Sequence, residues 1–161
     1  MSTGVRGVRA FLKARLVDPI LRQLTQGVSP GALALALALG LTLGTVPVLG
    51  ATTLACALAA AALRLNQPAI QAANYFAYPL QLLLYIPFFQ AGAWLFGAPP
   101  LALTLDQIRA ELSQDAWATI GRYAFANLRA VGAWAVLAVP VTLVLHVGLR
   151  ALLARLRPAR A

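Results

Sequence analysis

The sequence predicts an all-α integral membrane protein with about four membrane helices, and three observations carry that expectation. Of 161 residues, 61% are hydrophobic and 11% charged, and the mean hydropathy is +0.78. Ordinary soluble domains are roughly 45–50% apolar and about 25% charged. The charges are also missing where a soluble surface needs them. Residues 23–63 and 65–105 contain none, with Arg64 alone between them, and residues 130–149 contain none. An uncharged apolar run of about 18 residues is long enough to cross a bilayer. Finally, the net charge of +9 gathers at the two ends. Arg6, Arg9, Lys13, Arg15 and Arg22 against Asp18 leave +4 at one end, and Arg150, Arg155, Arg157 and Arg160 supply +4 at the other.

Segment 98–129 balances Arg109, Arg122 and Arg129 against Asp106, Glu111 and Asp115. Basic flanks of membrane spans stay cytoplasmic, so both termini are expected in the cytoplasm and the number of complete crossings is even. Without an aromatic or glycine-containing RNA motif beside the arginines, the basic ends point to anionic lipid and not to nucleic acid. Three parts follow: a basic amphipathic cytoplasmic or interfacial segment over 1–28, one helical membrane domain over 29–150, and a basic tail over 151–161. No short apolar segment followed by a small-residue cleavage site opens the chain, so a signal-less protein is expected.

Along residues 5–24, Val8, Leu12, Leu16 and Ile20 recur at near-helical spacing with Arg9, Lys13 and Arg15 between them. This suits a helix on the headgroup surface, each basic residue gaining about 1 kcal/mol from anionic lipid. A solvated basic tail is the other reading. Asp18-Pro19 and Gly27 interrupt any long helix here.

A hairpin of two short helices is expected over 31–63. Ser29-Pro30 has the N-cap and N1 residues of a helix start. The alternation of Ala and Leu over 32–39 has strand periodicity. Ala and Leu are nevertheless strong helix formers, and a lone strand leaves its backbone unsatisfied in lipid. Gly44-Thr45-Val46-Pro47-Val48-Leu49-Gly50 breaks the first helix, and a second runs over about 50–63 to Arg64-Leu65-Asn66-Gln67-Pro68. At 1.5 Å per residue the arms reach roughly 24 and 21 Å, short of a bilayer core of about 30 Å. They are either two thin spans or a re-entrant hairpin whose tip stops inside the membrane. Gly40-x-x-x-Gly44 and the Ala51, Ala55, Ala59 row supply small faces for close helix contact.

Residues 68–97 form a long Pro-kinked helix, with Pro79 and Pro87 inside it. Its first half holds Gln71, Asn74, Tyr75, Tyr78 and Gln81, and amides in hydrocarbon must face protein or water. Trp94 and Phe96 have the place of an interfacial anchor. Residues 104–129 are expected to form an amphipathic interfacial helix. Thr104 and Gln107 stand at capping-box spacing, and Leu105, Ile108, Leu112, Ala116 and Ile120 share one face. A span over 130–150 with Pro140 as its kink closes the chain.

With these elements in order, the chain resembles the domain-of-unknown-function family 2062, a group of bacterial membrane proteins. The likeness rests on Ser29-Pro30, the helix ending Gly40-Leu-Thr-Leu-Gly44, the turn Val46-Pro47-Val48-Leu49-Gly50, and Arg64-Leu65-Asn66-Gln67-Pro68-Ala69. It continues through Asn74, Tyr78-Pro79-Leu80-Gln81, Pro87 and the segment Gly92 to Gly97. Tyr78 and Gln81 stand where similar proteins have Asn and Thr. The resemblance implies a compact multi-helix protein of the bacterial inner membrane and no particular activity.

Catalysis is not expected. No Asp or Glu lies between Asp18 and Asp106, His146 is the only histidine, and Cys56 is the only cysteine. One His and one Cys build neither a metal site nor an acid–base pair, so no cofactor and no catalytic residue is assigned. Cys56 reads as a small packing residue. Helices broken by Gly and Pro mark binding sites in transporters. The candidate binding residues are Thr45, Pro47, Gly50, Thr52 and Thr53 at the turn, Gln71, Asn74 and Gln81 as neutral hydrogen-bonding groups, and Arg64 as a fixed positive charge. The expected function is passive movement of a lipid headgroup or small solute. The alternative is a scaffold or partner subunit of a membrane enzyme of envelope synthesis. One copy has little room for an enclosed path, so a homo-oligomer is expected.

Overall fold

The computed structural model describes residues 29–99 and 104–156, and these form five α-helices. They are α1 (Pro30–Leu43), α2 (Thr52–Leu63), α3 (Gln67–Leu95), α4 (Leu105–Gln114) and α5 (Ala116–Leu156). The expected basic helix within 1–28 and the last residues of the basic tail lie outside the described residues.

Local chemistry accounts for the boundaries. The Ser29 hydroxyl accepts a hydrogen bond from the Ala32 N–H at 3.1 Å, with Pro30 opening α1, the capping pattern its sequence announces. The Ala/Leu alternation is helical throughout. At the end of α2, Arg64 takes the left-handed conformation (φ 53°), and the Leu65 N–H returns to the Ala60 carbonyl at 2.9 Å, closing the helix as a glycine usually does. Two residues on, the Asn66 side chain accepts from the Ala69 N–H at 2.9 Å and starts α3. Pro79 and Pro87 lie inside α3 without ending it.

The amphipathic helix expected over 104–129 is instead divided at Asp115. That residue is extended (φ −152°, ψ 100°), and its carboxylate accepts from the Ala118 N–H at 3.0 Å. An aspartate that caps a new helix ends the old one. The expected apolar face is split by this break, with Leu105, Ile108 and Leu112 on α4 and Ala116 and Ile120 on α5. Everything after Asp115 joins the span expected at 130–150 into one helix of 41 residues. At the start of α4 the Thr104 hydroxyl bonds to the Gln107 side chain, and no side chain caps a backbone N–H there.

α1 is the central helix, packed along α3 and α5 and flanked by α2. A helix that is apolar on every face belongs in such a place. Its neighbours approach closely because the contact residues are small. A Cβ on Gly40 would lie 2.3 Å from the Ile70 carbonyl oxygen, and one on Gly44 would lie 2.7 Å from the Ala77 Cβ. α3 and α5 meet in the same manner at Gly92, where a Cβ would fall 2.6 Å from the Arg129 carbonyl carbon. Ala34, Ala36, Ala38, Ala69, Ala77 and Ala130 fill the interior. Large apolar side chains point outward instead, led by Phe76, Trp117 and Trp94 at 86%, 84% and 83% exposure. Contiguous exposed apolar surface of this kind asks for an apolar surrounding.

Among the described residues one helix, over Ala116–Arg155, is long and apolar enough to cross a membrane. α1 and α2 are shorter apolar helices. Leu153 packs on the cluster of Leu33, Ala60 and Ala69, with Leu65 beside them, so Arg64, Arg150 and Arg155 gather at one end of the bundle. The mixed charges of α4 and the start of α5 lie toward the other.

Candidate functional site

The site grows from the turn that joins α1 to α2. α1 ends at Leu43, ahead of the Gly44 to Pro47 break, and its last carbonyls need donors. The Thr45 hydroxyl donates to the Thr42 carbonyl at 2.8 Å, and the Thr45 N–H reaches the same oxygen at 3.1 Å. The turn beyond then has three successive carbonyls, of Val46, Pro47 and Val48, that its own backbone does not fully satisfy. Side chains from distant helices reach them. The Gln81 amide donates to Val46 at 2.8 Å and to Val48 at 3.5 Å, and the Asn127 amide donates to Pro47 at 2.7 Å. From α5, the Trp134 indole N–H donates to the Thr45 hydroxyl at 3.2 Å. One turn lower in α1, the Thr142 hydroxyl donates to the Thr42 hydroxyl, which in turn donates to the Ala38 carbonyl.

A second group ties the start of α2 to α3. The Gln71 amide donates to the Thr53 carbonyl at 3.0 Å. The Asn74 amide lies 3.4 Å from the Thr53 hydroxyl and 3.3 Å from the Gln71 side-chain oxygen. Asn74 and Gln81 are 3% and 1% exposed, so these bonds stand in for water that the interior excludes.

Of the residues singled out in the sequence, Thr45, Pro47, Thr53, Gln71, Asn74 and Gln81 are thus brought together around the turn. Thr52 is buried at the start of α2. Gly50, with φ +84°, sits in open space at the exposed edge of the turn. Arg64 stands at the far end of α2, about 18 Å away at 1.5 Å per residue,, and takes no part. Four partners were missed: Thr42, Asn127, Trp134 and Thr142. Within the charge-free run 130–149, Trp134, Thr142 and His146 are the only side chains able to hydrogen-bond. Trp134 and Thr142, like the amides of α3, find their partners inside the bundle. His146 differs, because its Nδ1 is buried with no hydrogen-bond partner among the described residues. Cys56 is fully buried, as a packing residue is.

The turn lies beside Gln81, near the midpoint of α3, which runs on to Leu95 without α1 or α2 alongside. A groove of about 510 Å³ opens at this level between α1, α3 and α5. Thr42 and Thr45 border it, and Leu84, Pro87, Phe88 and Trp134 supply an almost wholly apolar wall. Such a groove suits an aliphatic chain, and the Thr42 and Thr45 hydroxyls at its edge are bonded within the bundle.

A bundle of small-residue helices around a stitched internal turn is the class these features define. The family model described as an uncharacterized protein conserved in bacteria (DUF2062) matches residues 11–161, and the chain belongs to this family. No curated protein and no solved structure matches it.

Proposed function

We propose that the chain is a multi-pass protein of the bacterial inner membrane, with both termini cytoplasmic, that moves lipid passively along the groove beside Thr45. In this reading α5 crosses by its own apolar length, and α3, 29 residues long with Asn74 and Gln81 turned into the bundle, is proposed to cross beside it although it lacks the apolar run of α5. The α1–α2 hairpin enters from the cytoplasmic side and stops inside the membrane. Arg64, Arg150 and Arg155 then lie on the cytoplasmic face, where basic residues are retained. The observation that carries the reading is the place of the turn, halfway along α3, with the apolar groove opening where the hairpin ends. A helix that stops within the bilayer leaves neighbouring helices uncovered above it, and a lipid tail can fill that space. The Thr42 and Thr45 hydroxyls, which donate to the Ala38 and Thr42 carbonyls, offer a headgroup only acceptor lone pairs at the edge of the groove, and the reading invokes no catalytic step or cofactor. A second copy would cover the outer faces of α3 and α5.

The test is reconstitution into liposomes carrying phosphatidylglycerol with a fluorescent headgroup, bleached by dithionite from outside. The chain is expected to expose label from both leaflets, and Ala91→Trp, which fills the groove, restricts bleaching to the outer one. Bleaching of the outer leaflet alone by the unaltered chain overturns transport. One observation favours a second reading, a scaffold for a membrane enzyme: the amide donors of Gln71, Asn74, Gln81 and Asn127 are all engaged within the bundle. Under that reading lipid stays in its leaflet and a partner enzyme co-purifies with the chain.

A further inference from the structure

A second cavity, of about 570 Å³, lies away from the turn, where α4 and the start of α5 meet the end of α3. On α5 its lining residues precede Ala130, the point of contact with Gly92, whereas those of the groove beside Thr45 follow it. Arg122 and Arg129 both line it, seven residues apart on one helix face, with Phe125 between them and Phe89 opposite. Residues at this spacing stack two turns apart on the same side of a helix.

The two arginines are held differently. Arg122 pairs with Glu111 of α4 at 3.3 Å and lies 3.4 Å from the Thr119 hydroxyl, which itself donates to the Glu111 carbonyl. That network joins α4 to α5 and closes one side of the cavity. Arg129 has neither an ion pair nor a side-chain hydrogen bond among the described residues, although it is half-buried. Its backbone is pinned by the close approach of Gly92, so the side chain starts from a fixed place. A partly buried guanidinium without a counter-ion is costly and gains from a bound anion. Its planar fork matches a phosphate or carboxylate with two parallel bonds. Two guanidinium groups against one carboxylate leave the cavity with an unbalanced positive charge. The remaining wall is apolar, with Phe89, Ala93, Phe125 and Ala126.

We propose that this cavity is a binding site for a phosphate-bearing amphiphile: the phosphate on Arg129, with Arg122 as second donor, and the aliphatic part against Phe89 and Phe125. The site is separate from the groove beside Thr45, and its occupancy does not depend on lipid moving there. The phosphate can come from a lipid headgroup or from free phosphate, and the test separates the two.

The full chain in neutral detergent micelles is titrated with short-chain phosphatidylglycerol, short-chain phosphatidylcholine and inorganic phosphate, with bound ligand read by native mass spectrometry. Phosphatidylglycerol is expected to bind, and Arg129→Gln to weaken it by about tenfold, as loss of a bidentate charged contact does. Arg150→Gln removes the same charge at the opposite end of the bundle and leaves the affinity unchanged. Displacement of phosphatidylglycerol by inorganic phosphate identifies free phosphate as the natural occupant, and failure to displace it identifies the lipid. Equal binding by Arg129→Gln and the unaltered chain overturns the proposal, as does an equal loss in Arg150→Gln. Should Arg129→Gln lose its helical circular dichroism, Arg129→Lys decides in its place. Keeping the charge without the fork, it is expected to bind several-fold more weakly, and unchanged binding overturns the site.

Discussion

Gln81 donates its side-chain amide to the Val46 carbonyl at 2.8 Å, across 35 residues of sequence. The bond fixes the end of a short helix against the middle of a long one, in an interior where Gln81 is only 1% exposed. With Asn127 on the next carbonyl, it holds a turn that its own backbone leaves incompletely bonded.

Gln81→Leu removes one of two donors to the Val46 carbonyl, the Val48 N–H at 2.7 Å remaining, and is expected to cost about 0.5–1.5 kcal/mol, the net worth of one hydrogen bond. Thermal unfolding in detergent reads this directly. Asn127→Leu takes from the Pro47 carbonyl its donor among the described residues and is expected to cost more, about 1–3 kcal/mol. Because both side chains hold adjacent carbonyls of one turn, the double variant loses less than the two single losses combined.

The glycine contacts make a sharper prediction, because they separate sites by what a methyl group meets. Gly40→Ala drives a Cβ against the Ile70 carbonyl, and Gly44→Ala drives one against Ala77. Each is expected to destabilise the bundle by about 1–3 kcal/mol through overpacking. Gly148→Ala, inside α5 where nothing lies within 4 Å, is expected to stabilise that helix by roughly 0.5–1 kcal/mol, the ordinary gain in a helix interior. A uniform effect at all three positions contradicts the close packing of α1 on α3.

These contacts also mark how far the sequence could be read. Gly40 and Gly44, the turn at Pro47 and the amides at Gln71, Asn74 and Gln81 were legible, since each is chemically out of place in an apolar run. Their partners on α5 were harder, because Trp134 and Thr142 look ordinary until α1 is known to lie beside them. Asn127 was hidden for another reason. It was assigned to an interfacial helix, and the division at Asp115 that carries it into the long helix rests on a single capping carboxylate. Arg64 was drawn into the site as the one charge between two apolar runs. Its work is at the helix end, where φ of 53° closes α2.

His146 provides an independent check on the interior. Its Nδ1 is buried without a partner among the described residues, so His146→Leu removes a desolvated polar atom of little use to the fold. The expected outcome is a chain as stable as the original or more so, by up to about 1–3 kcal/mol. A marked loss of thermal stability means that the His146 ring is hydrogen-bonded in the folded chain.

The most direct test of the central claim, that the α1–α2 hairpin ends inside the membrane, is labelling of single cysteines in intact cells with an impermeant maleimide. In a Cys56→Ala background, Leu49→Cys reports the exposed edge of the turn, Gln114→Cys the end of α4, and Ala62→Cys the end of α2. Gln114→Cys is expected to label from outside, Ala62→Cys only after permeabilisation, and Leu49→Cys slowly under both conditions. Labelling of Leu49→Cys from outside as fast as Gln114→Cys contradicts the claim, because the hairpin would then cross the membrane completely.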